Sequence, residues 1–273
     1  MRRPPVTEAP HPLGRDLERL PARRIVRRLH AGDREAVRAV GRALDDIADL
    51  SELAAAALAA GGRLVYAGAG TSGRLGALDA AECTPTFGVD PSRVRALVAG
   101  GDRALRRAVE GAEDDAEAGA AAVRRIRVGD RDLVVGLSAS GTTPFMKGAL
   151  AEARRRGART ALVTSNPAAR AAADLKVVLE TGPELVAGST RMKAGSAAKM
   201  ALSLLSTATF VRLGAVREGR MVALRPGSAK LRDRAVRNVA ALAGIGAAAA
   251  RRLLVESGWD VRGALAGATR RRR

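Results

Sequence analysis

Two stretches of this chain place small, flexible and hydroxylated residues where an anion can be held. Residues 63–73 read Arg63-Leu64-Val65-Tyr66-Ala67-Gly68-Ala69-Gly70-Thr71-Ser72-Gly73, an apolar run that enters a glycine turn. Residues 132–144 repeat the arrangement, Asp132-Leu133-Val134-Val135-Gly136-Leu137-Ser138-Ala139-Ser140-Gly141-Thr142-Thr143-Pro144. Glycine lets the backbone approach a ligand closely. The N–H groups of a turn that opens a helix attract negative charge, and hydroxyls complete the hydrogen bonds. Gly70, Thr71 and Ser72 in the first loop, with Ser138, Ser140 and Thr143 in the second, are therefore candidate binding residues for one phosphorylated small molecule.

Other readings of the loops have to be weighed. Gly68-x-Gly70-x-x-Gly73 satisfies the dinucleotide fingerprint, which also needs an acidic residue about 20 residues on to hold a ribose. Here the second apolar run, Val94–Ala99, ends in Gly100-Gly101 before Asp102, later than that spacing. A pyrophosphate against a bare glycine turn has little use for so many hydroxyls, whereas a terminal phosphate monoester has three oxygens to satisfy. Ser and Thr also serve as turn and N-cap residues, and either loop alone is open to that explanation.

The elements that must position these loops follow from hydrophobic period. Residues 1–32, rich in Pro and Arg, read as an N-terminal arm with a helical hint at 23–29. A helix is expected from Asp33, with Val37, Val40, Leu44, Ile47 and Leu58 in phase, until Gly61-Gly62 stops it. Strands at 63–67, 94–99, 132–137, 159–164 and 175–180 alternate with helices at 73–82, 102–126, 144–156 and 167–173. After a loop at 181–188, a long helix covers 189–213, and 228–268 holds two or three helical stretches broken at Gly244–Gly246 and Gly258. Short apolar strands separated by helices imply right-handed crossovers. The expected fold is α/β, a five-stranded mostly parallel sheet flanked by helices, with a small C-terminal helical region. The expected domains are the arm at 1–32, a ligand-binding domain at 33–214 and a helical region at 215–273 with a basic tail. Ligands bind beyond the carboxyl ends of parallel strands, where both glycine loops fall.

Composition narrows the partners. The net charge is +19, but 42 of the 47 Lys and Arg residues are Arg, spread along an Ala- and Gly-rich chain with only Arg270–Arg273 as a run. Phe, Tyr and Trp together number five, too few for base-stacking platforms, so nucleic acid is not the expected partner. One cysteine, Cys83, and two histidines, His11 and His30, give no zinc constellation and no internal disulfide. Neither a metal nor a cofactor is expected. The start, Met1-Arg2-Arg3-Pro4-Pro5, has no apolar leader region, and the apolar stretches near 53–60 and 239–250 fall short of the roughly 18 residues that span a membrane. A cytoplasmic protein is expected.

Four separated motifs then acquire a common meaning. Gly68–Arg74, Asp79-Ala80-Ala81-Glu82-Cys83-Thr84-Pro85-Thr86-Phe87-Gly88, Glu110-Gly111-Ala112-Glu113-Asp114-Asp115 and Gly188-Ser189-Thr190-Arg191-Met192-Lys193-Ala194-Gly195 together resemble the N-acetylmuramic acid 6-phosphate etherase family of the sugar isomerase (SIS) domain superfamily. The likeness runs in order from about Thr7 to the C-terminal helices. It implies an SIS-type αβα sandwich and a homodimer. It further implies a lyase of peptidoglycan-sugar recycling, which cleaves the D-lactyl ether of a phosphorylated amino sugar. It extends to the glucokinase regulatory protein, so a non-catalytic sugar-phosphate-binding regulator is the alternative.

An ether at C3 of a sugar breaks once the ring opens and the C1 aldehyde acidifies the C2 proton. A base removes that proton while an acid protonates the departing oxygen, and water then adds back. Such chemistry needs two carboxyl groups in different protonation states and no metal. The resemblance assigns the acid to Glu82, at the end of the helix after the first loop, and the base to Glu113. A helix over 102–126 would align Leu105, Val109, Ala112, Ala116, Ala120 and Val123, with Glu113 at the border of that stripe and Asp114 turned away. Arg191 and Lys193 open the 189–213 helix after Ser189 and Thr190 as expected caps. Cations there call for a neighbouring anion, either the substrate's lactyl group or Glu184, and Lys193 joins the candidate binding residues. Exposed basic side chains explain the pair equally well. Thr142 stands where the family usually has Arg in its second loop.

Overall fold

Short apolar runs bounded by glycine form strands here because helices cover both of their faces. In the computed structural model, which describes residues 6–270, three 3-10 turns (Val6–Glu8, Pro12–Gly14, Leu17–Arg19) lead into α1 (Ala22–Arg42) and α2 (Leu44–Ala59). There follow β1 (Leu64–Gly68), α3 (Gly70–Phe87), β2 (Val94–Val98), α4 (Arg103–Arg106), α5 (Ala116–Arg125), β3 (Leu133–Leu137), α6 (Pro144–Arg155), β4 (Arg159–Thr164) and β5 (Leu175–Val178). The chain continues with α7 (Lys193–Arg212), the two-residue strands β6 (Val216–Arg217) and β7 (Arg220–Met221), α8 (Ala229–Ala243), α9 (Ala247–Glu256) and α10 (Val261–Arg270). The Met1–Pro5 start and Arg271–Arg273 of the basic tail lie outside the described residues.

The sheet has the order β2-β1-β3-β4-β5 with every pair parallel, so the five-stranded core is present as the alternation of elements predicts. Strand order reverses at β1, which makes the carboxyl ends of β1 and β3 the crevice where doubly wound sheets bind ligands. One face packs Leu64, Tyr66, Leu133 and Val135 under α1, α2, α3 and α7. The other packs Val65, Ala67, Val134 and Leu162 under α5 and α6. Val222, Leu224 and helices α8–α10 bury a separate apolar cluster around Val239 and Leu254. Among the described residues, no single helix is long and apolar enough to cross a membrane.

Five expected helices change. The first helix begins at Ala22, well inside the expected arm, and bends at Ala43 into α2. The helix after the first loop runs Gly70–Phe87, so Thr71 and Ser72 lie in its first turn and Glu82 lies within it rather than at its end. The single helix expected over 102–126 is three pieces. Arg107 is extended, Gly111 adopts φ 72°, and residues Ala112–Asp114 form a 3-10 turn before Asp115 caps α5. The periodic stripe was continuous in sequence, but this segment must turn across the strand ends toward α6. Nor is there a helix at 167–173. Pro167 follows Asn166, whose Oδ1 accepts from the Ala168 N–H at 3.0 Å and turns the chain directly into β5.

The helix expected from 189 starts at Lys193, and its cap comes from elsewhere. Glu184 is fully buried, and its two carboxylate oxygens accept the N–H groups of Lys193 and Ala194, both at 3.0 Å. A carboxylate suits the positive end of a helix. Neither Ser189 nor Thr190 caps α7; the task falls to a residue nine positions upstream of Lys193. Glu184→Ala should therefore lower stability by about 2 kcal/mol, since a cap and two bonds to buried N–H groups are lost together. Urea unfolding reads this as a lower midpoint with unchanged slope; an unmoved midpoint would contradict the capping role.

Candidate active site

The two glycine loops lie side by side because β1 and β3 are paired in register, with Gly68 opposite Leu137. Gly73 has no room for a side chain: a Cβ there would lie 2.6 Å from the Gly68 carbonyl oxygen. This close approach turns the chain sharply from β1 into α3, so that the unsatisfied first-turn N–H groups of Gly70, Thr71 and Ser72 face outward at the strand ends. Ser72, Ser138, Ser165, Thr190 and Gly195 line one small cleft there. Ser165 and Thr190 join the candidate set from structure alone. The sequence signal for Thr190 was its place in the Gly188–Gly195 motif, where it was read as a cap.

The second loop is preorganised by its own hydroxyls. Ser138 Oγ lies 2.9 Å from Thr143 Oγ1 and accepts from the Gly141 N–H at 3.0 Å. Ser140 Oγ lies 2.8 Å from Thr142 Oγ1. Thr142 is thus an exposed partner of Ser140. Asn166 donates its Nδ2–H to the Ser140 carbonyl at 2.8 Å and Thr164 donates to the Ala139 carbonyl at 3.2 Å, so β4 braces the loop. Gly141 adopts φ 69° against Ala169, a conformation that only glycine takes without strain.

From this cleft a groove continues between α3 and α7. Its middle part is lined by Asp33, Thr71, Leu75, Arg191, Gly195 and Lys199, and its far part by Leu75, Leu78, Asp79, Glu82, Lys199 and Ser203. Gly195 is common to the first two parts, and Leu75 and Lys199 to the last two. Thr71, Ser72 and Glu82 are therefore gathered along one wall. Glu113 is not on that wall. It is exposed on the 3-10 turn that packs against α6, beyond the strand ends from α3, and it does not border the helical stripe on which its expected burial rested. Asp115 caps α5 through the Ala118 N–H at 2.8 Å, which accounts for part of the acidic run.

Lys193 does not face the groove as an open cation. Its side chain is only 2% exposed, packs beside Gly32 and pairs with Glu35 of α1. Arg74 is also engaged, donating Nε–H to the Ala104 carbonyl at 2.8 Å and tying α4 to α3. The carboxylate expected beside the start of this helix is Glu184, as described above. Lys199 and Asp79, by contrast, were not singled out by the sequence.

Asp79, one turn before Glu82, accepts from Tyr66 Oη at 2.8 Å and Ser206 Oγ at 2.9 Å, joining β1, α3 and α7. Burial raises its carboxyl above the usual range. The bonds from Tyr66 and Ser206 and the charge of Lys199 oppose that rise, and Glu82 adds to it. Burial likewise pushes up the Tyr66 phenol, with Asp79 reinforcing it, and the Cys83 thiol, which leaves that thiol unreactive. Among the described residues, no group of three or more His, Cys, Asp or Glu could hold a metal ion. A carboxyl raised on folding favours the fold fully below the ordinary carboxylate range, and that contribution is lost as pH rises to the raised value. Asp79→Asn, which keeps an acceptor oxygen, should therefore flatten the fall in stability as pH rises above about 4. Urea midpoints across that range test this; identical pH slopes for both proteins would contradict it.

Comparison with known proteins agrees with this fold. A model of the glucokinase regulatory protein N-terminal SIS domain matches residues 46–154. An E. coli CFT073 protein in complex with A5P superimposes with a TM-score of 0.51 at 17% identity, over 73% of this chain and 97% of that one. A Bacteroides fragilis protein described as a phosphosugar isomerase involved in capsule formation gives 0.52 at 18% identity, over 68% and 90%. These two share the fold. The chain is 48% identical over 261 residues to the N-acetylmuramic acid 6-phosphate etherase of Deinococcus radiodurans, covering 95% of this chain and 86% of that protein. It is 44% identical over 262 residues to the etherase of Salmonella choleraesuis, covering 95% and 88%, and 46% identical to that of Trichormus variabilis, covering 95% and 85%. With identity of this order along nearly the whole chain, the relationship goes beyond a shared fold: the chain belongs to the N-acetylmuramic acid 6-phosphate etherase family.

Proposed function

We propose that the protein cleaves the D-lactyl ether of N-acetylmuramic acid 6-phosphate, giving N-acetylglucosamine 6-phosphate and D-lactate, as an enzyme of cell-wall sugar recycling. The observation that carries the site assignment is the run of clefts from Ser72 and Ser138 to Glu82. It offers hydroxyls and helix-start N–H groups for a phosphate at one end and a carboxyl at the other. In this reading the phosphate is held by the Gly70–Ser72 turn and by Ser138, Ser140 and Thr143. Lys193 acts from behind, by fixing the start of α7 against α1 through Glu35.

With the ring open, Glu113 takes the C2 proton, a role that rests on the family resemblance, since this carboxyl stands off the α3 wall on the turn against α6. The C2–H electron pair forms the C2–C3 double bond as the C3–O bond breaks, and Glu82 gives its proton to the lactate oxygen. Water then adds, its oxygen to C3 and a proton to C2, which restores the saturated sugar. The exposure of both carboxyls leaves each accessible to a substrate entering from solvent. The regulator alternative is not favoured, since the relatives matched over 95% of the chain carry the name of an enzyme. A homodimer in the cytoplasm belongs to the same proposal. The exposed apolar Leu204 and Val211 on α7 support a contact with a second copy.

Incubation with N-acetylmuramic acid 6-phosphate should release D-lactate, and the unphosphorylated sugar should give almost none. Glu82→Gln and Glu113→Gln should each reduce release by about 10²-fold or more while sugar-phosphate binding persists, and Asp114→Asn should leave it near normal. Full activity in the Glu82→Gln protein would remove the proposed acid.

A further inference from the structure

The proposed substrate carries two anions, a phosphate and the carboxylate of its lactyl group, and the second needs its own partner. The cleft of Ser72, Ser138 and Thr190 has no Lys or Arg in its lining, so the loops there serve the phosphate through hydroxyls and N–H groups. The cation indicated by sequence, Lys193, is buried and paired with Glu35, and Arg74 is turned to the Ala104 carbonyl. Lys199 is placed otherwise. It lines both the middle and far parts of the α3–α7 groove, it is exposed, and among the described residues no carboxylate stands within 4.0 Å of its Nζ. It lies one turn, about 6 Å of helix rise, beyond Gly195. Gly195 is itself in contact with Thr71 of the first loop: a Cβ there would stand 3.4 Å from Thr71 Cγ2.

We propose that Lys199 is the specificity-determining cation that binds the lactyl carboxylate of the substrate. This deepens the reading above and rests on it. The lactyl carboxylate is joined through one carbon to the ether oxygen, so a cation that grips it must stand beside the acid that protonates that oxygen. Lys199 and Glu82 line the same part of the groove from its two walls, α7 and α3. Asp79 stands between the two walls, held by Tyr66 and Ser206, and is near enough to Lys199 to feel its charge. Arg191 and Asp33 are the other charged residues of the middle part. Lys199 thus separates a sugar 6-phosphate that carries a lactyl ether from one that does not.

The test compares substrate with product in a background that does not consume the substrate. Calorimetric titration of Glu82→Gln and of the Glu82→Gln/Lys199→Met double variant would use N-acetylmuramic acid 6-phosphate and N-acetylglucosamine 6-phosphate. The double variant should bind the lactyl-bearing sugar about tenfold or more weakly and the product within about twofold, with Lys199→Arg restoring most of the difference. Equal weakening of both ligands would overturn the proposal, because Lys199 would then serve the phosphate or the fold. Unchanged affinity for both would overturn it as well. Lactate release by the unsubstituted protein separates the two levels: if it occurs and Lys199→Met leaves the preference intact, only the Lys199 assignment fails. If no lactate is released, the etherase reading fails, and the titration still decides whether Lys199 recognises the lactyl group.

Discussion

The in-register parallel pairing of β1 with β3 is the constraint on which the rest depends. It brings Gly68 level with Leu137, so two chain segments 69 residues apart leave the sheet at the same height and side by side. A slip of one residue would turn every side chain of a strand to the other face, exchanging the residues packed under α1, α2, α3 and α7 with those packed under α5 and α6. Hydrophobic burial thus fixes the spacing of two loops whose own residues are polar. The glycines do the local work: Gly73 admits the Gly68 carbonyl at a distance no side chain tolerates, and Gly141 takes up a left-handed turn against Ala169.

A second layer of positioning is polar and buried. Glu184 caps α7, Lys193 pairs with Glu35, and His11 lies 3.8 Å from the same Glu35 carboxylate. The N-terminal segment closes over these groups, with the Gly188 N–H bonded to the Thr7 carbonyl at 3.1 Å and Gly14 packed on Leu185. Through these contacts the segment before α1 supports the loop that carries Thr190 to the cleft of Ser72 and Ser138. Buried charges of this sort tolerate the loss of one partner poorly, because the other is left without solvent or counter-charge. The Glu35–Lys193 pair leaves little signature in sequence, since its partners lie 158 residues apart.

That difference in range explains what could be read from the residues. The strands were legible almost to the residue: 159–164 coincides with β4, because an apolar run between Gly157 and a polar turn has one way to be buried. The loops and the α3 wall were legible from glycine and hydroxyl spacing. The 102–126 segment was misread, since Ala-rich periodicity persists through a region that Gly111 and the extended Arg107 break. The expected burial of Glu113 fell with that helix. Lys193 stands in a conspicuous motif and Lys199 does not, but the side chain of Lys193 is taken up by Glu35, which lies 158 residues away from it. Asp79 stood inside a quoted motif, yet its tie to Tyr66 and Ser206 needed the packing of three elements.

In the proposed function, one groove between α3 and α7 holds the substrate from phosphate to ether. A crystal structure of the Glu82→Gln protein with N-acetylmuramic acid 6-phosphate tests it most directly. The expected result is the phosphate among Ser72, Ser138 and Thr190, with the lactyl group beside residue 82. A phosphate bound instead in the cleft at the sheet edge, where Arg95 and Arg125 stand over β2, would contradict it.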